Sequence, residues 1–244
     1  MPIVFAVISP HPPIILPSVG TAGDRGQVKK TIKSLEKLGK KLKEENPDLI
    51  IISSPHSDWG FKVPLYFLLR QGFEEARSAK VEVKTYLIGL EEPKFYFQEG
   101  KKLYQSTISN LKSRIALISS GDLSHCLKEN GPYGFYPDGP KFDKALINYL
   151  KKKDIKKIFE LDKKFPGASE CGLRSFCFIL GILEASGINW QPEILSYEGP
   201  FGVGYLVANF KIKYFKYERA KDMSSFQKTP PFRGEDVIKV VNKI

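Results

Sequence analysis

Histidine is scarce in this sequence, with three residues in 244. Cysteine is equally scarce: Cys126, Cys171 and Cys177 are all there is. An odd, sparse set excludes a disulfide-stapled scaffold, and the lack of a Cys-x-x-Cys pair excludes a dithiol redox motif. No apolar run is long enough to span a bilayer, so no membrane partner is expected. The apolar start, Met1–Ile8, runs straight into Ser9-Pro10-His11 with no basic segment and no cleavage site. A secretory signal is therefore not expected, and the cytoplasm is the default location. The phosphate-binding loops are missing too. Gly199-Pro200-Phe201-Gly202-Val203-Gly204 lacks the Lys-Ser/Thr of a P-loop and precedes a strand pattern rather than a helix. No serine sits in a nucleophile elbow.

What is present describes a globular chain. Hydrophobic residues make up 42%, aromatics 12%, and mean hydropathy is -0.24. That suffices for a large core and fits one domain better than two. The formal net charge is +11. The lysines of Lys29–Lys43 and Lys151–Lys157 alternate with Leu and Ile at helical spacing, which makes them solvated helix faces. With no nucleic-acid motif and no aromatic–basic interleaving, no nucleic-acid partner is expected. The same charge would attract a substrate carboxylate.

Ile3–Ile8 and Leu49–Ile52 are continuous apolar, β-branched runs, the pattern of strands buried on both faces. Between them Asp24 can cap a helix with apolar positions Val28, Ile32, Leu35, Leu38 and Leu42, stopped at Asn46-Pro47-Asp48. Strand, helix, strand makes a βαβ unit, and its two strands should be parallel. Val81–Ile88 alternates as a strand, Phe95–Lys112 reads as a helix, and Ile115–Ile118 is another buried strand. Phe142–Lys152 and Ile155–Leu161 read as helices. Ser169–Ala185 is apolar almost all round, hence a buried helix. Ile194–Tyr197 and Tyr205–Ile212 are late strands. The expected fold is α/β, a central mostly parallel or mixed sheet with helices on both faces. One domain is expected over 1–212, with 213–244 as a C-terminal extension.

Each histidine follows a buried strand. His11 follows the first in Ser-Pro-His-Pro-Pro, His56 the second in Ser-Pro-His-Ser, and His125 the run at Ile115–Ile118 in Ser-Gly-Asp-Leu-Ser-His. Ligands of open α/β sheets sit beyond the carboxyl ends of the strands, so parallel strands gather all three imidazoles at one edge. A proline before His11 and before His56 stiffens the turn that aims each ring. Two imidazoles need a third donor to hold a metal in an open site, and a carboxylate is the usual partner for Fe(II). Glu170, heading the apolar helix, is the leading choice. Its alternatives are Cys171, which would shift the preference toward zinc or copper, and Glu198.

Taken together, Ser9–Pro13, Ser54–His56, Ser120–His125, Glu170–Arg174 and Ser196–Tyr205 resemble, in order, the motifs of the LigB-like family of class III extradiol ring-cleavage dioxygenases. The chain is similar within it to the Memo-like branch. The resemblance implies a mixed sheet between helices, His11, His56 and Glu170 as ligands of Fe(II), His125 as the acid/base residue, and Asp122 behind the ligands. It implies a small catechol-type substrate and O₂ as partners, and leaves room for a homo-oligomer. Memo-like relatives carry a cysteine where the dioxygenases carry the carboxylate, and here Glu170 and Cys171 are neighbours. The Gly-Asp-Phe segment usual between the second histidine and the next strand is absent here.

Overall fold

The computed structural model describes residues 3–70 and 81–213. A six-stranded sheet has the order β3-β2-β4-β1-β6-β5. Its strands are β1 (Ile3–Ser9), β2 (Leu49–Ser54), β3 (Glu82–Leu87), β4 (Ile115–Ser120), β5 (Asn189–Glu198) and β6 (Tyr205–Lys213). β1, β2, β3 and β4 run parallel; β6 is antiparallel to both β1 and β5. The expected α/β fold with a mixed sheet is therefore the fold found.

The three buried runs lie side by side as β2-β4-β1 and split their side chains by strand alternation. Ile3, Ala6, Ile8, Leu49, Ile51, Ile115 and Leu117 face one core. Phe5, Val7, Ile50, Ile52, Ala116 and Ile118 face the other. The first core is closed by α4 (Pro93–Ser106), α5 (Asp138–Lys152) and α8 (Leu173–Ala185). The second is closed by α2 (Lys29–Glu45) and α3 (Trp59–Arg70). Ten of the thirteen residues of α8 are buried, which explains a helix without a polar face. Each of its Leu, Ile and Phe side chains contributes roughly 1.5–3 kcal/mol by leaving water.

The departures from expectation have physical causes. The helix expected from Asp24 is broken at Val28 into α1 (Ala22–Gln27) and α2. Asp24 lies inside α1, where it forms a capping box with Thr21. Asn46 does stop α2, in the left-handed conformation. The helix expected over Phe95–Lys112 begins at Pro93 and ends at Ser106, followed by a 3-10 turn at Ile108–Asn110. The segment expected as one helix over Ile155–Leu161 is two short ones, α6 (Ile155–Phe159) and α7 (Leu161–Lys164). Helix α3 is not visible in the sequence pattern, because Pro64 in its interior hides it. The expectation for 213–244 falls, beyond residue 213, outside the described residues. No helix among the described residues is long and apolar enough to cross a membrane.

Candidate metal centre

The carboxyl ends of β1, β2 and β4 place His11, His56 and His125 together, as the strand pattern implied. Ligand atoms of His11, His56 and Cys171 all lie within 4.8 Å of one another. The two imidazoles meet edge to face at 5.1 Å between centroids, and Cys171 Sγ is 3.6 Å from His11 Nε2.

The tautomer of His11 follows from its neighbours. Ser120 Oγ donates to the carbonyl of Gly60, so toward the ring it can only accept. His11 Nδ1, 2.9 Å away, is then the N–H, and Nε2 keeps its lone pair toward Cys171. Burial, reinforced by His56, depresses the His11 pKa to about 3, so the ring is neutral at pH 7. The 3.9 Å approach of Asp122 Oδ2 to this Nε2 is accordingly no ion pair. Asp122 instead ties the site together: Oδ1 accepts from His11 N at 3.0 Å and its own N–H donates to Cys171 Sγ at 3.3 Å. Its buried carboxyl is pushed up to about 6.

Cys171 arrives because the backbone allows it. A β-carbon on Gly121 would lie 2.2 Å from Gly172 Cα, and Gly172 N donates to the carbonyl of Asp122. Only two glycines let the loop after β4 and the start of α8 come this close. Burial pushes the Cys171 thiol well above its ordinary range. A bound cation reverses that preference, because coordination deprotonates a thiol. Two imidazoles and a thiol converging on one point thus fit a transition metal of intermediate softness.

Glu170 is elsewhere. Helix α8 starts at Leu173 and not at Ser169, so Glu170 reaches forward: Oε2 accepts from Leu173 N at 2.6 Å and Oε1 faces Arg174 at 3.3 Å. This is the helix-start role, with the buried carboxyl raised to about 7. Glu198 is also remote, accepting from both the N–H and the hydroxyl of Thr31 at 2.7 Å.

His125 sits on the loop beyond Asp122. Its Nε2 is buried and without a hydrogen-bond partner among the described residues. Burial lowers its pKa, so it is neutral and able to take a proton. Tyr133 lies against the ring, 5.0 Å between centroids. The loop is fixed from below: Ser124 N donates to Asp143 Oδ1 at 2.8 Å, and Tyr197 donates its hydroxyl to Oδ2 of the same carboxyl. Buried Asp143 is raised to about 7.

A cavity of about 390 Å³ opens over the three histidines, with Asp58 and Trp59 beside His56. The glycine-rich turn and the start of β6 supply a wall through Phe201, Val203 and Tyr205. A larger groove, about 820 Å³, runs along α5, but it contains none of the histidines. Chemistry, not volume, places the site. Asp58, Trp59 and Asp143 do not stand out in the sequence. Asp58 lies two residues after His56, and Asp143 shares the apolar stripe of Leu146 and Leu150, an acid where a core residue belongs.

The chain matches the protein family described as the catalytic LigB subunit of aromatic ring-opening dioxygenase, over residues 5–58 and 56–208. It belongs to that family. It is also 30% identical to protein CA_C1420 of Clostridium acetobutylicum, over 87% of this chain but 58% of that protein's length. The crystal structure of the uncharacterized protein JW3007 from Escherichia coli K12 has the same fold. Its TM-score is 0.57 at 15% identity, covering 85% of this chain and 100% of that one.

Proposed function

We propose that this chain binds a transition metal through His11, His56 and Cys171, and that it opens a catechol-type ring with O₂ as an Fe(II)-dependent extradiol dioxygenase. The observation that carries this reading is the convergence of three potential donors near the buried Nε2 of His125, which has no hydrogen-bond partner among the described residues. Membership of a ring-opening dioxygenase family supports it. When bound, Fe(II) supplies Lewis acidity toward the substrate hydroxyls and electrons toward O₂. The protein's own part is to orient and to move protons. His11 is aimed by Ser120, and the Asp122 carboxyl and N–H fix it against Cys171. His125 accepts the proton of a substrate hydroxyl at Nε2 and returns one later. Phe201, Val203 and Tyr205 give a ring an apolar wall.

A second reading is favoured by one observation, that Cys171 Sγ lies within 4.8 Å of donor atoms of both imidazoles while Glu170 accepts from Leu173 N. Thiolate suits zinc or copper better than a carboxylate does. A Memo-like metal protein, with a redox or partner-binding role and no ring cleavage, would use the same residues. EPR of the anaerobic Fe(II)-loaded chain with nitric oxide separates the two. A high-spin iron–nitrosyl signal that changes on adding catechol supports the dioxygenase. A signal indifferent to catechol, or none, supports the second reading.

A further inference from the structure

The chain carries 38 lysines and arginines and a net charge of +11, yet no lysine or arginine is among the described residues lining the cavity over the histidines. The two acids among the described lining residues are Asp58 and Asp122. Asp122 is buried and engaged with His11 N. Asp58 is exposed, at the start of α3, where its carbonyl accepts from Phe61 and Lys62. Lys62, one turn on, holds its ammonium over the Trp59 ring, 5.3 Å from the centroid, and is not part of the lining.

From this lining we propose that the site selects aromatic diols whose ring substituent is neutral or cationic and disfavours those bearing a carboxylate, with Asp58 as the specificity-determining residue. The inference rests on the catechol-type reading of the site. Walls of Tyr, Phe, Trp and Val accept any small ring equally, so charge at the mouth decides between rings of one shape. A substrate carboxylate would meet Asp58 with no cation among the described lining residues to pair it, whereas an ammonium would be paired. The general attraction of a basic protein for anions acts over distance and is screened at 0.15 M salt, while a contact at the pocket mouth is screened less.

Trp59 makes the idea measurable without turnover. The only other tryptophan, Trp190, is 2% exposed in the core, so quenching by a pocket ligand reports on Trp59, and Trp59→Phe verifies the source. The metal-loaded chain is titrated under argon with catechol, dopamine and 3,4-dihydroxyphenylacetate, which differ in charge at similar ring chemistry. Catechol and dopamine are expected to bind at least about fivefold tighter than the acid. Asp58→Asn, which caps a helix as well as Asp, is expected to close that gap to about twofold, charge being what it removes. If the acid binds as tightly as the amine, or Asp58→Asn leaves the gap unchanged, the charge selection is wrong while the aromatic-diol site stands. If none of the three quenches Trp59, the aromatic-diol reading fails and takes this inference with it.

Discussion

Cys171 Sγ lies 3.6 Å from Nε2 of His11, 160 residues away in the chain. Glu170, its immediate neighbour, turns the other way to hold the first N–H of α8. One peptide thus separates a residue facing the two imidazoles from one that starts a helix. Cys171→Ala is expected to weaken metal binding about a hundredfold or more, since second-sphere changes alone cost 10–100-fold. Glu170→Gln is expected to bind metal within a few-fold of the parent and to lose about 1 kcal/mol of stability, the usual scale of a helix-start contact. Chelator competition and thermal unfolding of both variants check this. Metal loss in Glu170→Gln with retention in Cys171→Ala would return the third position to the carboxylate.

The histidines are expected to divide by role. His11→Ala and His56→Ala each lose tight metal binding while circular dichroism stays that of the folded chain, because both rings lie at strand ends and not within a core cluster. His125→Ala retains metal and loses turnover. Removing a general acid/base costs typically 10²–10⁴-fold. Metal analysis beside single-turnover assays distinguishes the outcomes. Metal loss in His125→Ala would make that residue a ligand.

Gly121→Ala tests the backbone approach that delivers Cys171. The added methyl would sit 2.2 Å from Gly172 Cα, and backbone cannot swing aside as a flexible side chain can. A loss of about 3 kcal/mol or more is expected, at the upper end for overpacking, with weaker metal binding in whatever fraction remains folded. Chemical denaturation and metal titration of the same preparation read both. A variant of parental stability and affinity would show the loop pair to be more yielding than its geometry implies.

The strand pattern carried most of what mattered. β1, β2 and β4 are apolar on both faces because both faces are covered, and such runs are visible without any knowledge of pairing. Parallel pairing then sends every following loop to one edge, so the gathering of His11, His56 and His125 was legible. The placement of Cys171 beside His11 was not. It depends on whether α8 begins at Ser169 or Leu173, a four-residue difference set by the Glu170 contact and the glycine pair, and helix ends are the least determined part of a periodic pattern. Asp143 was illegible in another way: its partners, Ser124 and Tyr197, come from distant segments that only the fold brings together.

That buried carboxyl makes a pH-dependent prediction. The pKa of Asp143 is raised from 3.8 to about 7, first by burial, against the opposing hydrogen bonds from Tyr197 and Ser124. A carboxyl raised on folding holds its proton more tightly in the native state. The stability this confers is complete below about pH 4 and is lost as pH rises through about 7. Asp122 and Glu170 are raised as well, and His11 is lowered with opposite sign, so the pH profile of the parent alone is a mixture. Asp143→Asn isolates the group. Its amide oxygen still accepts from Ser124 N, and the Tyr197 hydroxyl can reverse to accept from the amide nitrogen, so the local fold is kept. The stability of the parent minus that of the variant is expected to fall between pH 4 and 7 and to level off above. Its total is of order a few kcal/mol, at about 1.4 kcal/mol per pKa unit. Urea unfolding of the metal-free chains at pH 5 and pH 8 measures that difference. A constant difference across the interval would mean that Asp143 ionises in the folded protein as it does in the unfolded one.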